Sequence, residues 1–269
     1  MAAKGSGARL IVHLHASCWN EARMLPYFFR HYDRLVDRYF IYDNQSDDGS
    51  LAILAKHPKV TVLPLALEGD SFVLAAFAQV NDFWIKSRGK ADWVAVVNID
   101  EFLWHPDIRR YLRDCRRSGI TWTQANGFQM ISPRFPETGD NLARTVRTGM
   151  RAPAYDKPAF FNPEAVRHSG FGIARHQASP SGRIVRPAAD EILLLHYKHL
   201  GLDYVTKRSA ELGARLRPGD IAGKFGTQYE PGRALGDHNL ILARSVPVVP
   251  PHESWKRIAS SLPPPKPRA

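Results

Sequence analysis

The fourteen residues from Ala91 to Trp104, ADWVAVVNIDEFLW, constrain this chain more than any other stretch. Val94 to Val97 is a β-branched apolar run that stops abruptly at Asn98, Ile99, Asp100 and Glu101. An apolar run too short for a helix and bounded by polar residues predicts a strand buried on both faces. Ionised carboxylates at the inner end of such a strand lose hydration unless something compensates them. A divalent cation compensates them and also supplies chemistry. In open α/β sheets, ligands bind just beyond the carboxyl ends of the strands, where these acids fall. The plainer alternative has Asp100 and Glu101 capping a helix that begins near Pro106.

A second segment repeats this layout. Residues 37–50 read DRYFIYDNQSDDGS, in which Asp43 halts the β-prone run Tyr39 to Tyr42. Asn44 to Gly49 is turn chemistry, and Asp48 or Ser50 can cap a helix through Leu51, Ile53 and Leu54. Upstream, Leu10 to Leu14 predicts a strand that leads into Ser17-Cys-Trp-Asn-Glu21 and an amphipathic stretch over 22–35. A strand at Val60 to Leu63, a helix over 71–86 and another near 107–117 complete an alternating pattern. Such alternation means parallel strands joined by crossover helices, with the polar strand tips sharing one cleft. Beyond residue 120 the pieces Thr123 to Ser132, Ala159 to Phe161 and Ile184 to Val185 read as strands among prolines and glycines. Long loops there predict an acceptor-side half that shapes a substrate pocket. A strand from Ile192 to Leu195 ends in His196, and a helix covers about 202–214.

The ordered set Trp19-Asn20-Glu21, Tyr42-Asp43-Asn44-Gln45-Ser46-Asp47-Asp48-Gly49-Ser50 and Asn98-Ile99-Asp100-Glu101-Phe102 resembles the family 2 type of glycosyltransferase. The closer resemblance is to a bacterial subgroup with WNE, YDNxSxDGS and DxDEF motifs. It continues in Tyr155-Asp156-Lys157-Pro158, Arg175-His176 and His196-Tyr197-Lys198-His199-Leu200-Gly201, spanning roughly residues 9–215. The resemblance implies a GT-A fold: a three-layer α/β/α sandwich with a Rossmann-like nucleotide-binding half and a mostly parallel central sheet. It also implies a UDP- or GDP-linked sugar donor and a divalent metal, Mn2+ or Mg2+. Asp100 is then the metal ligand, and His196 the second. Trp19, Asn20, Glu21 and Asp43 face the nucleoside, Asn98 the ribose, and Lys157 and Lys198 the diphosphate. Asn98 stands where the family has Asp, and it can hydrogen-bond but brings no charge.

An acceptor hydroxyl needs a carboxylate to take its proton in an inverting transfer. Asp156, Asp190 and Glu191 are available in the second half, with Asp156 favoured; Glu101 supports the metal or orients the acceptor, and His176 is another possible base. A sugar nucleotidyltransferase shares much of this layout but opens with a glycine-rich loop, whereas the chain has Ala16 to Glu21 without glycine. A non-catalytic nucleotide-sugar-binding relative is the other alternative, motivated by Asn98.

The 269 residues accommodate one large domain over 9–245, divided into a donor half at 9–104 and an acceptor half at 105–215. Residues 1–8 read as a disordered leader and 246–269 as a proline-rich basic tail. The formal charge of +11 calls for an acidic partner. Nucleotide diphosphate, an acidic glycan or glycolipid acceptor and an anionic membrane surface all qualify. No nucleic-acid-binding signature accompanies the charge, which argues against that partner. No apolar run approaches the roughly 20 residues of a membrane span. Cys18 and Cys115 make neither a disulfide framework nor a zinc site, which suits the cytoplasm, with peripheral contact at the inner membrane face.

Overall fold

The computed structural model describes residues 9–249, apart from 67, 138, 140 and 231. The expected leader and all of the expected tail from residue 250 onward lie outside the described residues.

The first half alternates as its apolar periodicity requires. Its elements are β1 (Val12–Cys18), α1 (Leu25–Tyr32), β2 (Arg38–Asp43), α2 (Ser50–Lys56), β3 (Val60–Pro64), α3 (Phe72–Val80) and β4 (Trp93–Asn98). The strands lie side by side in the order β3-β2-β1-β4, all parallel. In β4 the residues Trp93 to Val97 are buried on both faces and only Asn98 emerges. Alternate residues feed two separate cores: Trp93, Ala95 and Val97 meet α1, while Val94 and Val96 meet Val80, Phe83 and Trp84. Each large side chain sealed this way contributes about 1.5–3 kcal/mol. Helical layers on both sheet faces make this the α/β sandwich expected of a GT-A-like fold.

The chain then doubles back. β5 (Glu101–Trp104) and α4 (Ile108–Arg117) lead to the long β6 (Trp122–Ser132). α5 (Leu142–Thr145), β7 (Thr148–Arg151), β8 (Pro158–Phe161), β9 (Val166–His168) and β10 (Ser181–Gly182) follow. After them come β11 (Ile192–Leu200), α6 (Leu202–Ala214), α7 (Pro218–Ala222), α8 (Arg233–Ala243) and β12 (Val246–Pro247). β8 joins the sheet antiparallel to β4 and to β6, so one sheet runs through both halves. β11 lies between β5, antiparallel, and β6, parallel.

Several expected boundaries shift. The helix predicted over 71–86 stops at Val80 and gives way to turns and a short 3-10 segment at Ile85–Ser87. Ile184 and Val185 form no strand, although the Val185 carbonyl accepts the N–H groups of Thr121 and Trp122. His196 does not end its strand. The β5 ladder ends at His196, but pairing with β6 carries β11 on to Leu200, with a register break after His196. Residues 246–249, expected in the tail, include β12 on the edge of β7 and the buried Val248 and Val249.

Candidate active site

Strand register brings the second half to the tip of β4. His196 stands opposite Glu101 on one side and Gln129 on the other. Its Nε2 lies 3.0 Å from Asp100 Oδ2, and its Nδ1 lies 2.9 Å from Gln129 Oε1. Tyr155 stacks on the imidazole at 4.6 Å. Asp100 and His196 line a cavity of about 610 Å³, together with Trp19, Glu21 and Lys198. Burial opposes ionisation of Asp100, but His196 and Lys157 outweigh it and hold the carboxyl below its ordinary range.

Glu101, the next residue, has the opposite situation. It is fully buried, and its carboxylate accepts from Lys157 Nζ at 2.6 Å and from an Arg175 Nη at 2.5 Å. The Asn98 backbone N–H donates to the same carboxylate at 2.9 Å. The Asn98 side-chain oxygen accepts from the other Arg175 Nη at 3.1 Å. Burial would raise the Glu101 carboxyl, yet Lys157 and Arg175 drive it far below the usual carboxylate range. Ala174 and Arg175 both sit at left-handed backbone angles, φ 53° and 59°. Such residues cost of order 1–3 kcal/mol each and persist where surrounding contacts hold them, as the buried ion pair does here.

The WNE and DNQSDDGS segments act chiefly on one another. Gly49 at φ 95° makes the turn before α2, a conformation that strains side-chain-bearing residues. Asp48 then accepts from the Ala22 N–H and from Ser50, while Ser50 Oγ accepts from the Glu21 N–H. Asn20 exchanges two hydrogen bonds with Asp47, at 2.7 and 2.9 Å. This stitching holds the β1 and β2 tips together, and Asn20 itself does not line the cavity. Asp43 is buried behind the cavity wall, with Oδ2 accepting the Ser46 N–H. Its Oδ1 and the Oδ1 of Asn44, which does line the cavity, are buried with no hydrogen-bond partner among the described residues.

Trp19 and Glu21 reach the cavity held by α6. Arg208 bonds the Glu21 carboxylate at 2.6 Å and the Trp19 carbonyl at 2.7 Å. Burial pushes the Glu21 carboxyl up to about 8, against the pull of Arg208. Burial also lowers the Lys198 ammonium, partly offset by Asp100. Lys198 makes no salt bridge among the described residues and sits 5.6 Å from the Tyr229 ring.

Three expected catalytic residues fall elsewhere. Asp156 turns away from the cavity: its carboxylate accepts from the Gly127 N–H at 2.8 Å and from Arg151 at 2.7 Å, fixing the turn after β7. Glu191 lies in a separate groove beside His105, 3.7 Å away, because it precedes β11 while the cavity lies further along that strand. Glu101 is sealed beneath the cavity and is not one of its lining residues. Lys157 lines the cavity floor, but its ammonium is committed to Glu101. His176 does line the cavity. Its Nδ1 donates to the Ala154 carbonyl at 2.5 Å, which leaves the Nε2 lone pair free. Partial burial and nearby Lys157 lower its proton affinity. Arg208 and Gln129 were not singled out from the sequence, and Tyr155 was quoted only within the Tyr-Asp-Lys-Pro stretch, with no role. Each comes from a distant segment, and no local pattern announces the approach.

A cleft of this make-up, with acids, an imidazole and cations on its wall, lies at the ends of parallel strands, where open α/β sheets bind ligands. The profile of glycosyltransferase family 92 matches residues 15–218. The chain belongs to glycosyltransferase family 92. The glycosyltransferase class expected from the motifs thus stands, under a different family number from the one they resemble. A glycosyltransferase family 92 protein of Oryza sativa subsp. japonica is 28% identical over 191 residues, covering 67% of this chain and 32% of that protein. The chain therefore spans about a third of the length of that relative. Among solved structures, S. aureus TarS 1-349 in complex with UDP-GlcNAc is similar with a TM-score of 0.39 and 10% identity, over 76% of this chain and 66% of that one. Glucosyl-3-phosphoglycerate synthase from Mycobacterium tuberculosis, in complex with Mn2+, UDP and glucosyl-3-phosphoglycerate, gives 0.35 and 14% over 62% of each chain.

Proposed function

We propose that the protein transfers a glycosyl group from a nucleoside diphosphate sugar to an acceptor hydroxyl. The observation that carries this reading is the Asp100–His196 pair facing Lys198 in a cavity at the carboxyl ends of β1 and β4. The nucleoside lies toward Trp19, Glu21 and the unpartnered Asn44 oxygen. The diphosphate lies toward Lys198. In the transfer the acceptor oxygen bonds to the anomeric carbon as the bond from that carbon to the diphosphate oxygen breaks. The electron pair leaves with the nucleoside diphosphate, and the acceptor proton passes to the free Nε2 of His176.

The residues present fit a divalent cation shared with the diphosphate. Among the described residues no cluster of three His, Cys, Asp or Glu can hold a metal on its own. Asp100, whose Oδ1 makes no hydrogen bond among the described residues, and His196 would supply two donors, and phosphate oxygens the others; the oxygen donors suit Mg2+ or Mn2+, and the imidazole favours the second. Gln129 on the second ring nitrogen is the kind of contact that orients a metal-binding imidazole. When bound, such an ion would neutralise charge gathering on the leaving diphosphate.

Calorimetric titration with UDP and GDP, each with and without Mn2+, tests the reading; binding of neither sinks it. Asp100→Ala should weaken Mn2+-dependent binding by about tenfold or more, and unchanged binding would remove Asp100 from the site. His176→Ala should lower kcat by about 100-fold or more, the usual worth of a general base, with donor affinity nearly intact. An equal loss in donor affinity would return His176 to a binding role.

A further inference from the structure

One wall of the cavity is apolar in a way that a nucleotide sugar does not explain. Val73, Ala76 and Phe77 form a face of α3 that lines the cavity, and Leu216 and Phe225 line it from the segment after α6. The neighbouring Phe72 and Val80 pack into the core, but these five belong to neither hydrophobic core. Their side chains are only half-buried. The two walls are joined firmly. Asp220 of α7, fully buried, accepts from Ser71 Oγ at 2.6 Å and from the Phe72 and Val73 N–H groups at 3.1 and 3.0 Å. The channel is therefore built into the fold.

Charge accompanies it. The cavity-lining cations Lys157, Arg175 and Arg208 each have a carboxylate partner. Arg215 and Lys224 line the same cavity and make no salt bridge among the described residues. Arg215 rests on the Trp19 ring at 4.0 Å. Lys224 is held at φ 55°, immediately before Phe225. Cations without a carboxylate partner beside an apolar channel complement a molecule with an anionic head and a hydrocarbon chain.

We propose that the acceptor is a phosphate-bearing amphiphile, with its chain between α3 and the Leu216–Phe225 segment and its phosphate at Arg215 and Lys224. This rests on the transferase reading and adds the acceptor class to it. The test is calorimetry on the full chain saturated with UDP and Mn2+. The probes are dodecyl phosphate below its micellar concentration, dodecyl maltoside and inorganic phosphate. Dodecyl phosphate should bind without displacing UDP, about tenfold or more tighter than either other probe, since only it satisfies both charge and chain. Phe77→Asp, Val73→Glu and Lys224→Ala should each weaken dodecyl phosphate by about tenfold while UDP affinity stays within about twofold. Retained UDP binding shows that each variant is folded. Displacement of UDP, equal binding of the three probes, or variants that bind dodecyl phosphate like the parent would overturn the proposal. A protein that binds neither UDP nor GDP removes the transferase reading, and this acceptor class with it.

Discussion

Asp100 and Glu101 are neighbours in sequence and lie on opposite sides of the cavity floor. Asp100 opens onto the cavity with His196, and its carboxyl keeps a quarter of its surface, 26%, exposed. Glu101 is enclosed by Lys157, Arg175 and Asn98, with 1% exposed. One region leaves part of its polar surface open to the cavity; the other satisfies its charges internally and carries the first. The difference shows why an acidic motif cannot be assigned as a unit. Alternation at the start of β5 sends one carboxylate inward, and its partners arrive from residues 157 and 175.

Breaking the enclosed region should have the largest effect. Lys157→Met leaves Glu101 buried with a single cation, and removing one member of a buried ion cluster costs about 3–5 kcal/mol. Urea unfolding checks this. A loss below about 1 kcal/mol would place Glu101 in a far wetter setting than the geometry describes.

The strand that supplies His196 sharpens the contrast further along. His199 is buried with its Nδ1 unpartnered. Burial first, then the charges of Lys198, His196 and His238, lowers its proton affinity from the ordinary 6.5 to about 3. Between those values the unfolded chain binds more protons than the folded one. Stability is therefore intact above pH 6.5 and is lost as pH falls toward 3, by on the order of 2 kcal/mol at pH 5. His199→Leu should remove that share of the acid sensitivity. Melting curves at pH 7 and pH 5 measure it, and an unchanged gap between the two would refute the assignment.

The smallest effect is expected at the boundary between the two regions. Glu101, Lys157 and Arg175 together carry one net positive charge, and the Asn98 oxygen already faces Arg175. Asn98→Asp adds a carboxylate that Arg175 can neutralise, though the Asn98 Nδ2 now lies 3.5 Å from Glu101 Oε1. These terms oppose, so stability should change by less than about 1 kcal/mol and donor binding should persist. A folded variant that no longer binds UDP would show that the amide at 98 is itself required by the site.

Much of the first half was legible in sequence. The runs at 10–14, 39–42, 60–63 and 94–97 are short and mostly apolar, and each is bounded by polar or turn residues; the first strand itself covers Val12–Cys18. Local chemistry suffices to place such strands and their tips. The roles of the residues at those tips were less legible. Asn20 looks like a nucleoside ligand, yet its polar atoms, with those of the turn residues Asp47, Asp48 and Ser50, are taken up in joining two loops. Asp156 and Glu191 were reasonable bases by type, but Asp156 is held by the Gly127 N–H and Arg151, and Glu191 precedes β11 and lies in a separate groove. Arg208 is one arginine among many on a helix of no special pattern, and it becomes important through its 2.6 Å contact with Glu21.

The sequence by itself determined the alternating α/β order, the parallel strand tips and the presence of Asp100 at one of them, because these follow from periodicity and from the cost of leaving apolar runs in water. Tertiary structure alone decided which acid faces the cavity, which is neutralised beneath it, and which histidine stands beside Asp100. Those outcomes depend on the register of β11 between β5 and β6, and register is a choice among long-range pairings that no local run of residues encodes.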